Sequence, residues 1–194
     1  MKAFDAPIFP LNSIVLPGGR LPLQLFERRY LDMLSRCLRE DTGFVITLIR
    51  EAAADTSLEA GFHRIGTLVR VVDFSALDNG VLGIVAAGEQ CVRIEHHWQE
   101  TDGLNQGRVV PLPPEESRAT GPEHEELANI LRALVQHPAI RELDLEIDYR
   151  DARQLGWRLT ELLPLDPDQK QTLVELQDPL QRLEQIGDWI ESVD

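Results

Sequence analysis

The feature that most restricts this chain is a change of hydrophobic period part-way along it. From Ile8 to about Val110 the apolar residues fall in short alternating or continuous runs divided by turn residues, which is the mark of β-strands. Beyond the proline- and charge-rich segment 112–123 (LPPEESRATGPE) they recur with the period of about 3.6 residues that belongs to amphipathic helices. A single change of period at such a junction predicts an α+β chain, with a β unit over 1–112 and a helical unit over 119–194.

Strands are predicted near residues 7–11, 21–25, 43–49, 64–74, 81–87, 90–98 and 106–111. Pro17-Gly18-Gly19, Asp78-Asn79-Gly80 and Asp102-Gly103 supply the residues that chain reversals need, and Asp78-Asn79-Gly80 reads as a hairpin. One helix interrupts the strands over Glu27–Arg39. Its Tyr30, Leu31, Leu34 and Leu38 form an apolar stripe, and it is expected to act as a lid or plug. Residues 50–62 (REAAADTSLEAGF) carry no pattern and read as a surface loop.

In the second half, Thr120 and Glu123 have capping-box spacing ahead of a stripe of Leu127, Ile130, Leu131, Leu134 and Val135, which stops before Pro138. Another helix is expected over about Tyr149–Leu163. Asp166-Pro167-Asp168-Gln169 and Asp178-Pro179-Leu180-Gln181 each place Asp at the N-cap, Pro at the first helical position and Gln at the third. Helices this short are marginal alone in water, so their stripes are expected to pack together and on the β unit.

The formal charge is −14 and lies mostly in the tail: residues 119–194 hold 17 acidic and 7 basic side chains (net −10), residues 1–118 hold 16 and 12 (net −4). With Lys2 and Lys170 as the only lysines, the basic patch of a nucleic-acid binder is not expected. Cys37 and Cys91 are too few for a disulfide framework and lack the C-x-x-C spacing of zinc or redox sites, so a reducing cytoplasm is the expected compartment. The amino terminus has no apolar signal core, and no apolar run reaches the roughly 18 residues of a membrane span.

Signatures of chemistry are missing. No G-x-x-x-x-G-K-[ST] occurs to cradle phosphates, and no serine sits in a G-x-S-x-G elbow. His124-Glu125-Glu126 starts like a zinc-protease helix but has Ala128 where the second His belongs, and adjacent His96 and His97 on a strand point to opposite faces. Neither metal nor cofactor is expected. Cys91 lies in an apolar strand and reads as core. Cys37, flanked by Arg36 and Arg39 on the helix, is placed for partial exposure but has no histidine set by sequence as its base.

The stretch FPLNSIVLPGGRLPLQLFERRYLDML, residues 9–34, resembles the opening signature of the amino-terminal, substrate-binding domain of Lon proteases. Ile65-Gly66-Thr67, the run Gly80 to Val85, Gly88 and Val92-Arg93-Ile94 resemble its later strands, although Cys91 and Val92 stand where the family often has arginine and an aromatic residue. LLPLDPDQKQTLVELQDPLQRLEQI, residues 162–186, is similar to the closing helices of stand-alone bacterial Lon-domain proteins. The resemblance implies a PUA-like β pseudo-barrel with a helical bundle behind it, without ATPase or protease engines. It further implies a non-enzymatic module that recognises unfolded or extended polypeptides as an accessory to proteolysis or protein quality control, with a protease or chaperone as a further partner.

Loop and strand-edge aromatics, Phe62, Phe74 and Trp98, are the candidate peptide-binding residues, in a groove bordered by the 50–62 loop. Two alternatives stand beside this reading. A deep polar cleft with converging ionisable groups would favour a hydrolase of unrecognised type, and a basic face from Arg20, Arg28, Arg29 and Arg70 would favour an RNA-binding PUA-like protein.

Overall fold

The structure is a computed structural model and describes residues 2–50, 61–76, 81–141 and 146–192. It divides into two compact units, Met1–Pro113 and Pro114–Asp194. The expectations for residues 51–60 and for the Asp78-Asn79-Gly80 hairpin fall outside the described residues.

The first unit holds β1 (Phe4–Leu11), β2 (Arg20–Leu25), α1 (Arg28–Glu40), β3 (Phe44–Leu48), β4 (Ile65–Ala76), β5 (Leu82–Gln99) and β6 (Asn105–Pro111). The sheet order is β2-β5-β4-β3-β1-β6, and a second pairing of β5 with β6 closes β1, β3, β4, β5 and β6 into a ring. All neighbours are antiparallel except β1 and β3, whose connection runs through β2 and α1. A parallel pair needs such a crossover.

The two runs expected over 81–87 and 90–98 are one strand. Gly88 remains opposite Val69 and Gln90 opposite Leu68, so only Glu89 is an extra, bulged residue. A bulge bends a strand without ending it, which lets β5 pair with β2 along its first part and with β6 along its last.

β3, in the middle of the ring's covered side, is buried at every position, whereas β5 and β6 expose Arg93, Glu95 and Arg108. Ile8, Val45, Leu68, Val92, Ile94 and Val109, drawn from all five, fill one cluster together with Phe62; this is the ring interior. The alternate residues Phe9, Phe44, Ile46 and Val69 pack against Tyr30, Met33, Leu34 and Cys37 of α1. The helix is therefore a cover on the outer face and not a plug. Its buried stripe is also rotated from the expected one: Met33 and Cys37 point inward while Leu38 is 50% exposed. Tyr30, Met33, Leu34 and Cys37 keep the three- and four-residue spacing of one helical face, so periodicity alone allowed both choices.

The second unit holds a 3-10 turn (Pro122–His124) and the helices α2 (Glu125–Val135), α3 (Pro138–Arg141), α4 (Ala152–Leu162), α5 (Pro167–Glu175) and α6 (Pro179–Glu191). Leu127, Leu131, Leu155, Leu159, Leu173, Leu183 and Ile186 form its core. The expected Thr120–Glu123 box is not made. Thr120 lies beside the Ala119–Asp151 bridge, with its amide bonded to Arg150 O and its hydroxyl to Tyr149 O, and the turn starts from Gly121 instead. Both Asp-Pro starts hold. The Asp166 carboxylate accepts from Gln169 N while the Gln169 side chain accepts from Asp166 N, and Asp178 accepts from Leu180 N. Asp166→Ala is expected to lower stability by about 1 kcal/mol in urea unfolding, the usual worth of a side-chain N-cap. Among the described residues no helix is long and apolar enough to cross a membrane.

Candidate binding surface

Beyond the ring, β2, the first part of β5 and the second part of β4 continue as a three-stranded ribbon. Cross-strand partners share a face. The rows Leu21/Ala86/Val71, Leu23/Ile84/Phe74 and Leu25/Leu82/Ala76 therefore make one face apolar throughout, while Pro22/Val85/Asp73 and Gln24/Gly83/Ser75 make a mixed face opposite. α1 covers the apolar face over Leu25, Ile84 and Ala86. On β4 the cover reaches Val71 but not Phe74, which is 65% exposed although Ile84 beside it is buried.

The same stretch of β4 is an edge. Its pairing with β3 covers Thr67, Leu68 and Val69 only, so from Arg70 to Ala76 the described residues place a strand on one side alone. An edge strand offers unpaired amides and carbonyls to another chain. The edge is partly guarded, because the Asp73 carboxylate accepts from the Phe74 amide at 2.8 Å. A bulge at Val72, between Val71 and Asp73, twists it further, and Val72 itself is exposed.

The three aromatics singled out from the sequence do not gather in one place. Phe62 is 5% exposed in the ring interior, edge-to-face with His97 at 5.4 Å between ring centroids. It is core because a bridge to Ile49 turns it inward. Trp98 is 44% exposed but lies opposite Gln106 near the last residue of β5, whereas Phe74 lies opposite Ile84 near the first. A groove shared by all three is thus not what the strands build. The apolar ribbon face was missed at the sequence level; the alternation Leu21, Leu23, Leu25 was its visible signal.

A polar cleft of about 480 Å³ also exists in this unit, lined among others by Arg36, Cys37, Glu40, Asp41, Arg70 and Glu89. Its charges are largely spent on one another. Arg70 holds Asp41 and Glu89, each at 2.8 Å, and Arg36 binds Glu100 at 3.3 Å. Cys37 is buried, contrary to its expected exposure, and Cys91 is only half-buried, contrary to its expected place in the core. Burial pushes the Cys37 thiol up, the thiol donates to Gly43 O at 3.7 Å, and no imidazole lines the cleft. A nucleophile needs a lowered pKa or an adjacent base. This cleft supplies neither.

Of the arginines whose convergence would favour RNA, Arg28, Arg29 and Arg70 are each paired with a carboxylate. Among the described residues no three His, Cys, Asp or Glu side chains come together to hold a metal ion.

The substrate-binding domain model of the ATP-dependent protease La (Lon) matches residues 5–192, nearly the whole chain. The chain belongs to the Lon substrate-binding domain family. In architecture it is similar to the crystal structure of a Lon N-terminal domain protein from Xanthomonas campestris, with 34% identity, a TM-score of 0.81 and coverage of 96% of this chain and 98% of that one. The N-terminal domain of a Mycobacterium avium complex Lon protease shares the fold at 20% identity and a TM-score of 0.67, covering 96% and 97% of the two chains. Lon protease 1 of Syntrophobacter fumaroxidans is 24% identical over 97% of this chain, which spans 24% of that protein's length.

Proposed function

We propose that this member of the Lon substrate-binding domain family is a non-catalytic module that takes extended, apolar polypeptide segments, adding them as a strand along the β4 edge with Phe74 as the side-chain anchor. The observation that carries the reading is the coincidence of a strand edge that no described strand pairs with the uncovered end of an apolar face. Main-chain bonds along an edge are indifferent to sequence, and an apolar anchor selects segments that a folded client would hide. Such a module suits a cytoplasmic accessory to proteolysis or quality control. The 194 residues carry no phosphate-binding loop, and the polar cleft lacks a nucleophile with its base.

Titration with a reduced and alkylated unfolded protein tests this. Phe74→Ala is expected to weaken binding by about 2 kcal/mol, roughly thirtyfold, as loss of a hot-spot aromatic does. Trp98→Ala should change affinity by less than about twofold, the mark of a contact outside the hot spot. An extended peptide methylated on alternate backbone nitrogens should bind far more weakly than its parent. Equal binding by both peptides would remove strand addition, and an unchanged Phe74→Ala would remove the anchor. ATP hydrolysis or casein cleavage by pure protein, lost on changing one of its own residues, would overturn the non-catalytic reading.

A further inference from the structure

The second unit carries a groove that the β4 edge does not account for. It has a volume of about 410 Å³ and runs between the Glu123–Ile130 stretch and α6. Its floor is apolar: Leu127 and Ile130 on one side, Leu180, Leu183 and Ile190 on the other. On α6 the partly exposed Leu180, Gly187 and Ile190 lie seven and three residues apart on one helical face, with the buried Leu183 of the unit's core beneath them.

Gly187 lies between Leu180 and Ile190 on that face. A Cβ built there would meet nothing within 4 Å. Glycine is the poorest helix former after proline, and one inside a helix is ordinarily explained by a close approach of other atoms. Among the described residues nothing approaches it. Its effect is to keep the groove open to a chain from outside.

The rim decides what kind of chain. Glu184, Asp188 and Glu191, at i, i+4 and i+7, line one side, and Glu123 and Glu126 the other. No lysine or arginine lines the groove. Among the described residues Glu126, Glu184, Asp188 and Glu191 enter no ion pair, and Glu123 meets only His124, at 3.6 Å. The imidazole of His124 is itself engaged, its Nδ1 accepting from Gly121 N at 3.0 Å. Carboxylates flanking both sides of an apolar trough complement a helix whose apolar stripe is flanked by cations.

We infer that the groove between the Glu123–Ile130 stretch and α6 is a docking site for a cationic amphipathic helix of a partner protein, its apolar stripe seated over Gly187 and its Lys and Arg side chains on the two carboxylate rims. This surface shares no residue with the β4 edge and recognises the opposite kind of conformation.

The probe is a labelled synthetic helix of leucine and lysine with a single apolar stripe, with a leucine–glutamate helix of the same pattern as its counterpart, followed by anisotropy on the full chain. The lysine helix is expected to bind and the glutamate helix not. Binding should weaken steeply between about 0.05 M and 0.5 M salt, because rim charges are screened over that range. Gly187→Leu fills the trough and is expected to weaken binding by about tenfold or more while Tm holds or rises. The pair Glu184→Lys with Asp188→Lys should cost at least as much and flatten the salt dependence, and Phe74→Ala should change nothing. Undiminished binding by Gly187→Leu would mean that the peptide merely adheres to an acidic surface, and overturns the inference. So would absence of binding, or a self-association of the wild type that Gly187→Leu abolishes, which would make a second copy the occupant. If Gly187→Leu lowers Tm, the charge-reversal pair decides alone: unchanged affinity overturns the site.

Discussion

Arg182→Ala is expected to lower the stability of the second unit by about 3–5 kcal/mol, the scale on which one partner of a buried ion pair is missed. Arg182 is 0% exposed, yet each of its three guanidinium nitrogens donates a hydrogen bond. Nη1 donates to Glu115 Oε2 at 3.0 Å, Nη2 donates to Glu115 Oε1 and, at 2.7 Å, to Leu176 O, and Nε donates to Leu173 O at 3.1 Å. Leu173 lies in the last turn of α5 and Leu176 is its C-cap, so these are carbonyls that a helix end leaves without partners. The guanidinium also stacks 3.5 Å from the Trp157 ring centroid.

Alanine would strand Glu115 and two carbonyls at once and leave a void under the indole. Lysine cannot substitute, because a point charge neither forks onto a carboxylate nor stacks. Replacing both partners, as Arg182→Met with Glu115→Leu, should recover part of the loss, since no charge is then left unpaired. Urea unfolding with near-ultraviolet dichroism of Trp157 reads all three. A loss below about 1 kcal/mol for Arg182→Ala, the size of an ordinary surface change, would show that the cluster is incidental.

Gly88→Ala is the second large effect, a loss of about 1–3 kcal/mol or more, as for overpacking that only a backbone shift can relieve. An added Cβ would lie 2.2 Å from Leu16 O and 3.0 Å from Val15 Cγ1. Leu16 O cannot retreat freely because it accepts from Gly19 N at 2.9 Å, while Gly88 itself donates to Gly19 O and accepts from Gly18 N, both at 2.9 Å. The clash is thus with the turn that leads into β2, and the ribbon is expected to loosen with it. Hydrogen exchange should show faster amides across β2 and the first part of β5. Gly187→Ala, with open space around its Cβ, is the control and should lose nothing. Equal stability of the Gly88 and Gly187 variants would disprove the close approach.

Local rules were readable because their partners lie within a few residues. The Asp166 and Asp178 caps and the strand periods depend on neighbours in sequence, and the structure follows them. The glycines of the Lon-like signature, Gly66 and Gly88, were legible as motif; only the fold shows that Ile46 O and Leu16 O press on them.

What tertiary structure alone decided is what depends on distant partners. Arg182 reads as one more surface arginine until Glu115, 67 positions away, closes over it. Leu38 and Cys37 compete for one helical face, and packing against Phe44 and Val69 awards it to Cys37. The candidate site shows the same division. The sequence could nominate Phe62, Phe74 and Trp98 as aromatics able to anchor a peptide, but exposure belongs to a strand's place in the sheet. Ring closure takes Phe62 inside, the length of β5 separates Trp98 from Phe74, and the β3 pairing ends at Val69, so that among the described residues Phe74 has a strand on one side alone.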